Sequence, residues 1–265
     1  MITVVTAYYQ ISSKYPSDKY LEWIKKFFQL PCKMYIFSDK NSIETLKQIR
    51  NNSNNTYYHE LEISDFYTNK YKDLWEHSYK IDPERINGLN HTPELYMIWA
   101  EKPFLVKKAI ENNIFNSEIF CWTDIGVIRN NDMFPKVLNF PNNLCSQLNP
   151  NKIMFSMIEP FLFKDCSINE LGIAKCFENM SVYCGCYPVV RIQGGFFAGF
   201  KEKLLKYADL YSKELELFEK TKTYGGKDQY IMGNILLKNI DFFQIIHDEK
   251  KYYHNEFFGF LIRFS

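Results

Sequence analysis

Ile119-Phe120-Cys121-Trp122-Thr123-Asp124-Ile125-Gly126 reads as an apolar strand that delivers a carboxylate and a glycine to its carboxyl end. Open α/β sheets bind ligands at that edge. A buried strand of Ile, Phe, Cys and Trp is rigid, so Asp124 is expected in one orientation, as a metal or phosphate site requires. Gly126 is expected to let a ligand come close to the backbone. Taken alone, the stretch reads first as an Asp opening a turn after a strand; the rest of the chain changes that balance.

Upstream, Ile2 to Ala7 has a strand pattern, followed by a loop with Pro16. Ser17 or Asp18 is positioned to cap an amphipathic helix that runs to Leu30 and stops at Pro31. Lys33 to Ser38 is a second strand ending at Asp39. Ser42 to Arg50 places Ile43, Leu46 and Ile49 on one helical face, Asn51 to Asn55 makes a turn, and Thr56 to Leu61 is a third strand. This β-α-β-α-β alternation predicts a parallel sheet with helices on both faces. Residues 62–92 mix Phe66, Tyr67, Tyr71, Trp75 and Tyr79 with Lys and Asp, a pattern of helix pieces and a mobile loop suited to a lid. Thr92 or Asn90 can cap a long helix from Pro93 to Asn113, in which Pro103 is expected to make a kink or a break.

Downstream of Asp124, Phe134 to Asn149 is irregular and Lys152 to Ile158 is another strand. Val189 to Gly199 contains Gly194-Gly195-Phe196-Phe197-Ala198-Gly199, where small residues suit tight turning and close approach. A helix follows from Lys201 to Lys220, broken by Gly225-Gly226, then a helix from Asp228 to Leu237 and a last strand, Phe242 to Ile246, ending at His247. No repeat and no linker rich in Gly, Ser or Pro divides the chain, so residues 1–265 are expected to form a single domain.

With 265 residues, 46% hydrophobic and 24% charged, the chain has the composition of an ordinary globular protein. A net charge of +1 with interspersed Lys and Glu gives no field for nucleic acid. A strand pattern directly after Met1 leaves no place for a secretory signal, and no apolar run reaches the ~18 residues of a membrane helix. A cytoplasmic protein without a transmembrane segment is expected. The seven cysteines then read as free thiols rather than a disulfide framework. Cys166, Cys176, Cys184 and Cys186 lack the spacing of a zinc knuckle.

Polar residues recur at the ends of apolar segments: Asp124 after a strand, Lys227-Asp228-Gln229 opening a helix after Gly225-Gly226, and His247 after the last strand. An Asp and a His meeting from distant parts of the chain form a candidate site for a divalent cation such as Mn²⁺, which would neutralise a diphosphate leaving group. Each also has a plainer reading, His247 as a strand-end histidine and Asp228 as a helix cap.

Thr92-Pro93-Glu94-Leu95-Tyr96-Met97-Ile98-Trp99-Ala100-Glu101-Lys102-Pro103, Trp122-Thr123-Asp124-Ile125-Gly126-Val127-Ile128-Arg129, Gly194-Gly195-Phe196-Phe197 and Lys227-Asp228-Gln229 together resemble the HtrL/YibB-type proteins, a group related to GT-A glycosyltransferases. The resemblance runs from about Ile2 to His247. It implies a single-domain GT-A (Rossmann-like) α/β fold with a mixed, mainly parallel sheet flanked by helices. It also implies transfer of a hexose from a UDP-sugar donor to a glycan, lipid-linked sugar or protein acceptor, with Mn²⁺ or Mg²⁺. The usual Asp-x-Asp metal motif has Gly126 in place of its second Asp, leaving Asp124 and His247 as the implied metal ligands. Thr6, Ala7, Tyr8 and Asp39 are implied to line the base and ribose pocket, Lys102 to face the diphosphate, and Gly194 and Gly195 to lie under the transferred sugar or the acceptor. Asp228 and Gln229 are implied to stand beside the sugar, with Asp228 the general base if the reaction inverts.

Two other classes fit parts of the pattern. The missing second Asp suits a non-catalytic nucleotide-sugar or glycan binding protein. A nucleotidyltransferase or pyrophosphorylase would share the sheet, but Tyr8-Tyr9-Gln10-Ile11-Ser12 is not the Gly-rich basic loop such enzymes carry after their first strand.

Overall fold

The computed structural model describes residues 1–12, 15–51, 54–162, 166–178, 191–247 and 258–265. Cys184 and Cys186 lie outside the described residues. The other five cysteines are free thiols.

The strands are β1 (Ile2–Tyr8), β2 (Lys33–Ser38), β3 (Thr56–Glu60), β4 (Ile119–Thr123), β5 (Ile153–Met157), β6 (Ile192–Phe200) and β7 (Phe243–His247). They form one sheet in the order β3-β2-β1-β4-β6-β5-β7. All pairings are parallel except those of β6, which runs antiparallel to both β4 and β5. The alternation expected for residues 1–61 is therefore present, and the whole is the mixed, mainly parallel α/β sheet that the resemblance implied. The stretch around Gly194 departs from expectation. It is no tight turn but a buried nine-residue strand at the middle of the sheet, where glycines permit close approach without bending the chain.

The helices are α1 (Ser17–Phe27), α2 (Lys40–Ile49), α3 (Lys72–Ile81), α4 (Pro83–Ile86), α5 (Pro93–Asn112), α6 (Leu144–Gln147), α7 (Lys201–Thr221), α8 (Asp228–Lys238) and α9 (Phe260–Arg263). Alternate residues of each central strand feed two cores, as a period of two dictates. Val5, Tyr35, Phe37, Phe120 and Trp122 pack with residues of α3, α5, α7 and α8. Val4, Met34, Ile36, Ile119 and Cys121 pack on the other face with residues of α1, α2 and α9.

Two local expectations change. α1 has Pro16 as its N-cap and no side-chain cap, whereas Thr92 caps α5 by accepting from the Leu95 N–H at 3.3 Å. α5 then runs through Pro103 without a break, because burial of most of its surface in the core outweighs the one backbone hydrogen bond a proline removes.

Residues 62–92 do not form a lid. Phe66, Tyr71, Leu74 and Trp75 are core residues. The buried Glu101 carboxylate accepts from the backbone N–H groups of Tyr67 and Thr68 at 3.0 and 2.9 Å, and Trp75 Nε1 donates to the Thr68 carbonyl at 2.8 Å. Phe66, Tyr71 and Trp75 thus serve packing, while Tyr67 and Tyr79 are exposed.

Candidate active site

The carboxyl ends of β1 and β4 open into a cavity of about 480 Å³, a size ordinary for small-molecule sites. Its floor is built around one lysine. α5 carries Lys102 into the sheet, where it is only 4% exposed. Nζ donates to Oδ2 of Asp228 at 2.7 Å and to the Gly194 carbonyl at 3.0 Å, and lies 3.1 Å from Oδ1 of Asp124. An ammonium has three donors, and these three acceptors use them all. Lys102 lines the cavity, but its donors are taken up by the protein's own acceptors, and it ties two carboxylates together.

Each carboxylate is held from a second side. Asp124 continues the β4–β6 pairing, its N–H donating to the Gly195 carbonyl at 3.0 Å, and Trp122 Nε1 donates to its Oδ1 at 2.7 Å. The residues that follow, Ile125, Val127 and Ile128, are buried in the core, so the loop cannot swing. Asp228 is the first residue of α8; it accepts from the Gln229 N–H at 2.9 Å and does not cap the helix.

Electrostatics follow from burial. Desolvation alone would lower the Lys102 pKa, but the adjacent Asp124 and Asp228 carboxylates reverse this and hold it above its ordinary value. Burial raises Asp228; Lys102 opposes that rise and Asp124 reinforces it. The arrangement is an always-charged ammonium between two carboxylates, with the deeper carboxylate disposed to accept a proton.

At both glycines the space a side chain would need is already occupied. A Cβ on Gly194 would stand 2.7 Å from Oδ1 of Asp228 and 3.0 Å from Cδ of Gln229. One on Gly195 would stand 3.2 Å from a Phe258 ring carbon and 3.3 Å from Oδ2 of Asp124. Both glycines line the cavity, but the space left by their missing side chains is filled by the protein's own carboxylates. At Gly126 likewise, a Cβ would meet the Trp23 ring at 3.3 Å.

Of the residues implied for the site, Ala7, Tyr8, Lys102, Asp124, Gly194, Gly195, Asp228 and Gln229 line this cavity. Three do not. Thr6 is fully buried within β1. Asp39 caps α2, its Oδ1 accepting from the N–H groups of Asn41 and Ser42. His247 is exposed at the end of the edge strand β7, separated from β4 by β6 and β5, or about 14 Å of sheet at ~4.8 Å per strand.

The described residues do not fit the Mn²⁺ or Mg²⁺ that the resemblance implies. Asp124 and His247 are too far apart to share an ion, Gly126 offers no side-chain ligand and its carbonyl accepts from Arg129, and Asp124 Oδ1 is committed to Trp122 and Lys102. Among the described residues no group of three or more His, Cys, Asp and Glu could hold a metal.

Two features of the cavity wall escaped the sequence reading. His91 is buried, its Nδ1 2.8 Å from Oδ2 of Asp82, which also accepts from the Tyr96 hydroxyl at 2.6 Å. Burial would raise the Asp82 pKa, but His91 and Tyr96 outweigh it and bring it down to about 2. Arg129 lies five residues beyond Asp124 on the same loop, with its guanidinium among the rings of Tyr15, Trp23 and Phe258. A cation so soon after a strand-end carboxylate was the available signal.

The family described as "Bacterial protein of unknown function (HtrL_YibB)" matches residues 1–258. No curated protein matches the chain. Among solved structures, mouse xyloside xylosyltransferase 1 in its apo form is similar at 12% identity and a TM-score of 0.47, over 99% of this chain and 93% of that one. A glycosyltransferase involved in glycosylation of the major capsid of PBCV-1 gives 15% identity and a TM-score of 0.39, over 94% and 81%. The 4-diphosphocytidyl-2C-methyl-D-erythritol synthase of Anaerococcus prevotii gives 12% and 0.39, over 94% and 87%. At such identities and scores, activity must be argued from this chain's own residues.

Proposed function

The chain belongs to the HtrL_YibB family, and we propose that it is a glycosyltransferase that moves a hexose from a nucleotide-sugar donor of the UDP type to a glycan, lipid-linked or protein acceptor. The observation that carries this reading is the pair of carboxylates, Asp124 and Asp228, joined by the buried Lys102 ammonium on the floor of the cavity. The cavity lies at the carboxyl edge of parallel strands, where nucleotides bind in open α/β sheets. Tyr8 and Tyr20 offer rings to it, as a base or sugar face requires.

In the transfer, the bond between the anomeric carbon and the diphosphate oxygen breaks and its electron pair leaves with the nucleoside diphosphate. The acceptor oxygen forms the new bond to that carbon and gives up its proton. Asp228 is assigned as the base that takes this proton, since burial raises its affinity for one. Lys102 orients it and Asp124 together, and Gln229, which packs beside Gly194, contacts the sugar.

Sugar-nucleotide turnover by the intact chain, with UDP-hexoses and a panel of glycan acceptors, tests the reading. Release of UDP that depends on acceptor supports it. Tight UDP-sugar binding without transfer, unaltered in Asp228→Asn, would replace it with the non-catalytic binding protein favoured by Gly126.

A further inference from the structure

We infer that Arg129 is the binding site for the donor's diphosphate, taking the place that a divalent cation would have in a site with two metal-binding carboxylates. The inference rests on the nucleotide-sugar reading for the ligand's identity, but on the geometry of the cavity for the residue.

A diphosphate needs positive charge with free donors, and the cations lining the cavity differ in what they have left. Lys102 has spent its donors on Gly194, Asp124 and Asp228. Lys227 is paired with Glu84. Arg129 is paired with no described carboxylate. Its Nε donates to the Gly126 carbonyl at 3.1 Å, and the N–H groups of Nη1 and Nη2 have no partner among the described hydrogen bonds. A guanidinium fork with two free nitrogens matches phosphate oxygens in pairs, which an ammonium cannot do.

The side chain is also held in place. Its guanidinium carbon lies 4.8 Å from the ring centres of Trp23 and Phe258 and 5.5 Å from that of Tyr15. Although Arg129 as a residue is exposed, rings at these distances attract the cation and restrict where it sits, which reduces the ordering still to be done when an anion arrives. The bond to Gly126 joins it to the loop that positions Asp124, so the carboxylate and the anion-binding cation are set by one segment. Gly126, where a second metal ligand is missing, instead supplies the carbonyl that anchors Arg129 and the space that admits Trp23.

Calorimetric titration of the intact chain with inorganic pyrophosphate and with UDP, each in EDTA and again with Mn²⁺, tests the inference. The expected result is that both ligands bind in EDTA, and that Arg129→Gln weakens both by about 10- to 100-fold, the range of a charge-assisted hydrogen-bond pair. Arg129→Lys, which keeps the charge and loses the fork, should recover only part of it. Circular dichroism and thermal unfolding confirm that the variants fold. Unchanged pyrophosphate affinity in Arg129→Gln, or parental binding that needs Mn²⁺, overturns the proposal. If UDP-hexose is turned over while Arg129→Gln binds normally, this inference fails and the transferase reading survives. If pyrophosphate binds through Arg129 but no sugar nucleotide binds, the reverse holds; absence of binding by both ligands sinks both.

Discussion

Lys102 Nζ and Asp228 Oδ2 are 2.7 Å apart, and both residues are only 4% exposed. Water screens neither partner, so removing one leaves the other as an uncompensated buried charge. Lys102→Met is expected to destabilise the fold by roughly 3–5 kcal/mol, measured by urea unfolding at neutral pH. Adding Asp228→Asn to Lys102→Met should return part of that loss. A double variant that loses the sum of the two single effects would mean the groups are not coupled in solution.

Gly194→Ala puts a methyl 2.7 Å from the Asp228 carboxylate, which Lys102 prevents from moving aside. Its expected cost is about 1–3 kcal/mol of overpacking, together with loss of turnover. Gly199→Ala, five residues further along β6 and away from the cavity, would meet Ile153 Cδ1 at 2.8 Å. It should lower stability comparably and leave donor binding intact. Equal effects of both substitutions on UDP affinity would break the link between Gly194 and the site.

Stability should depend on pH through Glu101. Burial raises its carboxyl from 4.5 to about 7, although the Thr68 and Tyr67 N–H groups favour the charged form. Between these two values the folded chain holds a proton that the unfolded chain releases, so stability is greatest below 4.5 and falls as pH rises to 7. The loss is on the order of 3 kcal/mol. Subtracting the urea-unfolding profile of Glu101→Gln from that of the parent isolates the contribution; a flat difference across pH 4.5–7 contradicts it.

Asp82 behaves in the opposite sense. His91 and Tyr96 overcome its burial and hold it down to about 2, against an ordinary 3.8. Its contribution is complete above 3.8 and is lost as pH falls toward 2, where the folded carboxylate must at last accept a proton. Asp82→Asn should remove that acid-limb slope and lower stability at neutral pH. Loss of stability on acidification as steep in the variant as in the parent would assign the acid transition elsewhere.

Turnover should also report Asp228. Because its carboxyl is raised by burial, kcat/KM is expected to climb with pH along a limb centred above the ordinary aspartate value of 3.8, and Asp228→Asn should abolish that limb with at least a 100-fold loss of rate. Comparison of the two pH–rate profiles decides it.

The strand pattern up to residue 61, the approach to Asp124 and the long helix after Thr92 could be read from the chain because each depends on local rules: period two, period 3.6 and capping. Those rules also brought Asp124, Asp228 and His247 forward as polar groups at the ends of apolar segments, whereas Lys102 was implied only by the family resemblance. Local rules do not specify which strands become neighbours. Insertion of β6 between β4 and β5 moved His247 to an edge three strands from Asp124, and turned Gly194-Gly195 into a surface against which carboxylates pack. Lys102, Asp124 and Asp228 meet across 126 residues of sequence, and the sharing of one ammonium between two acids is decided by packing and desolvation together. Residue types and their spacing therefore determined the sheet and nominated the acids, while strand order and burial decided which of them share a charge and left Arg129 with donors that have no partner among the described residues.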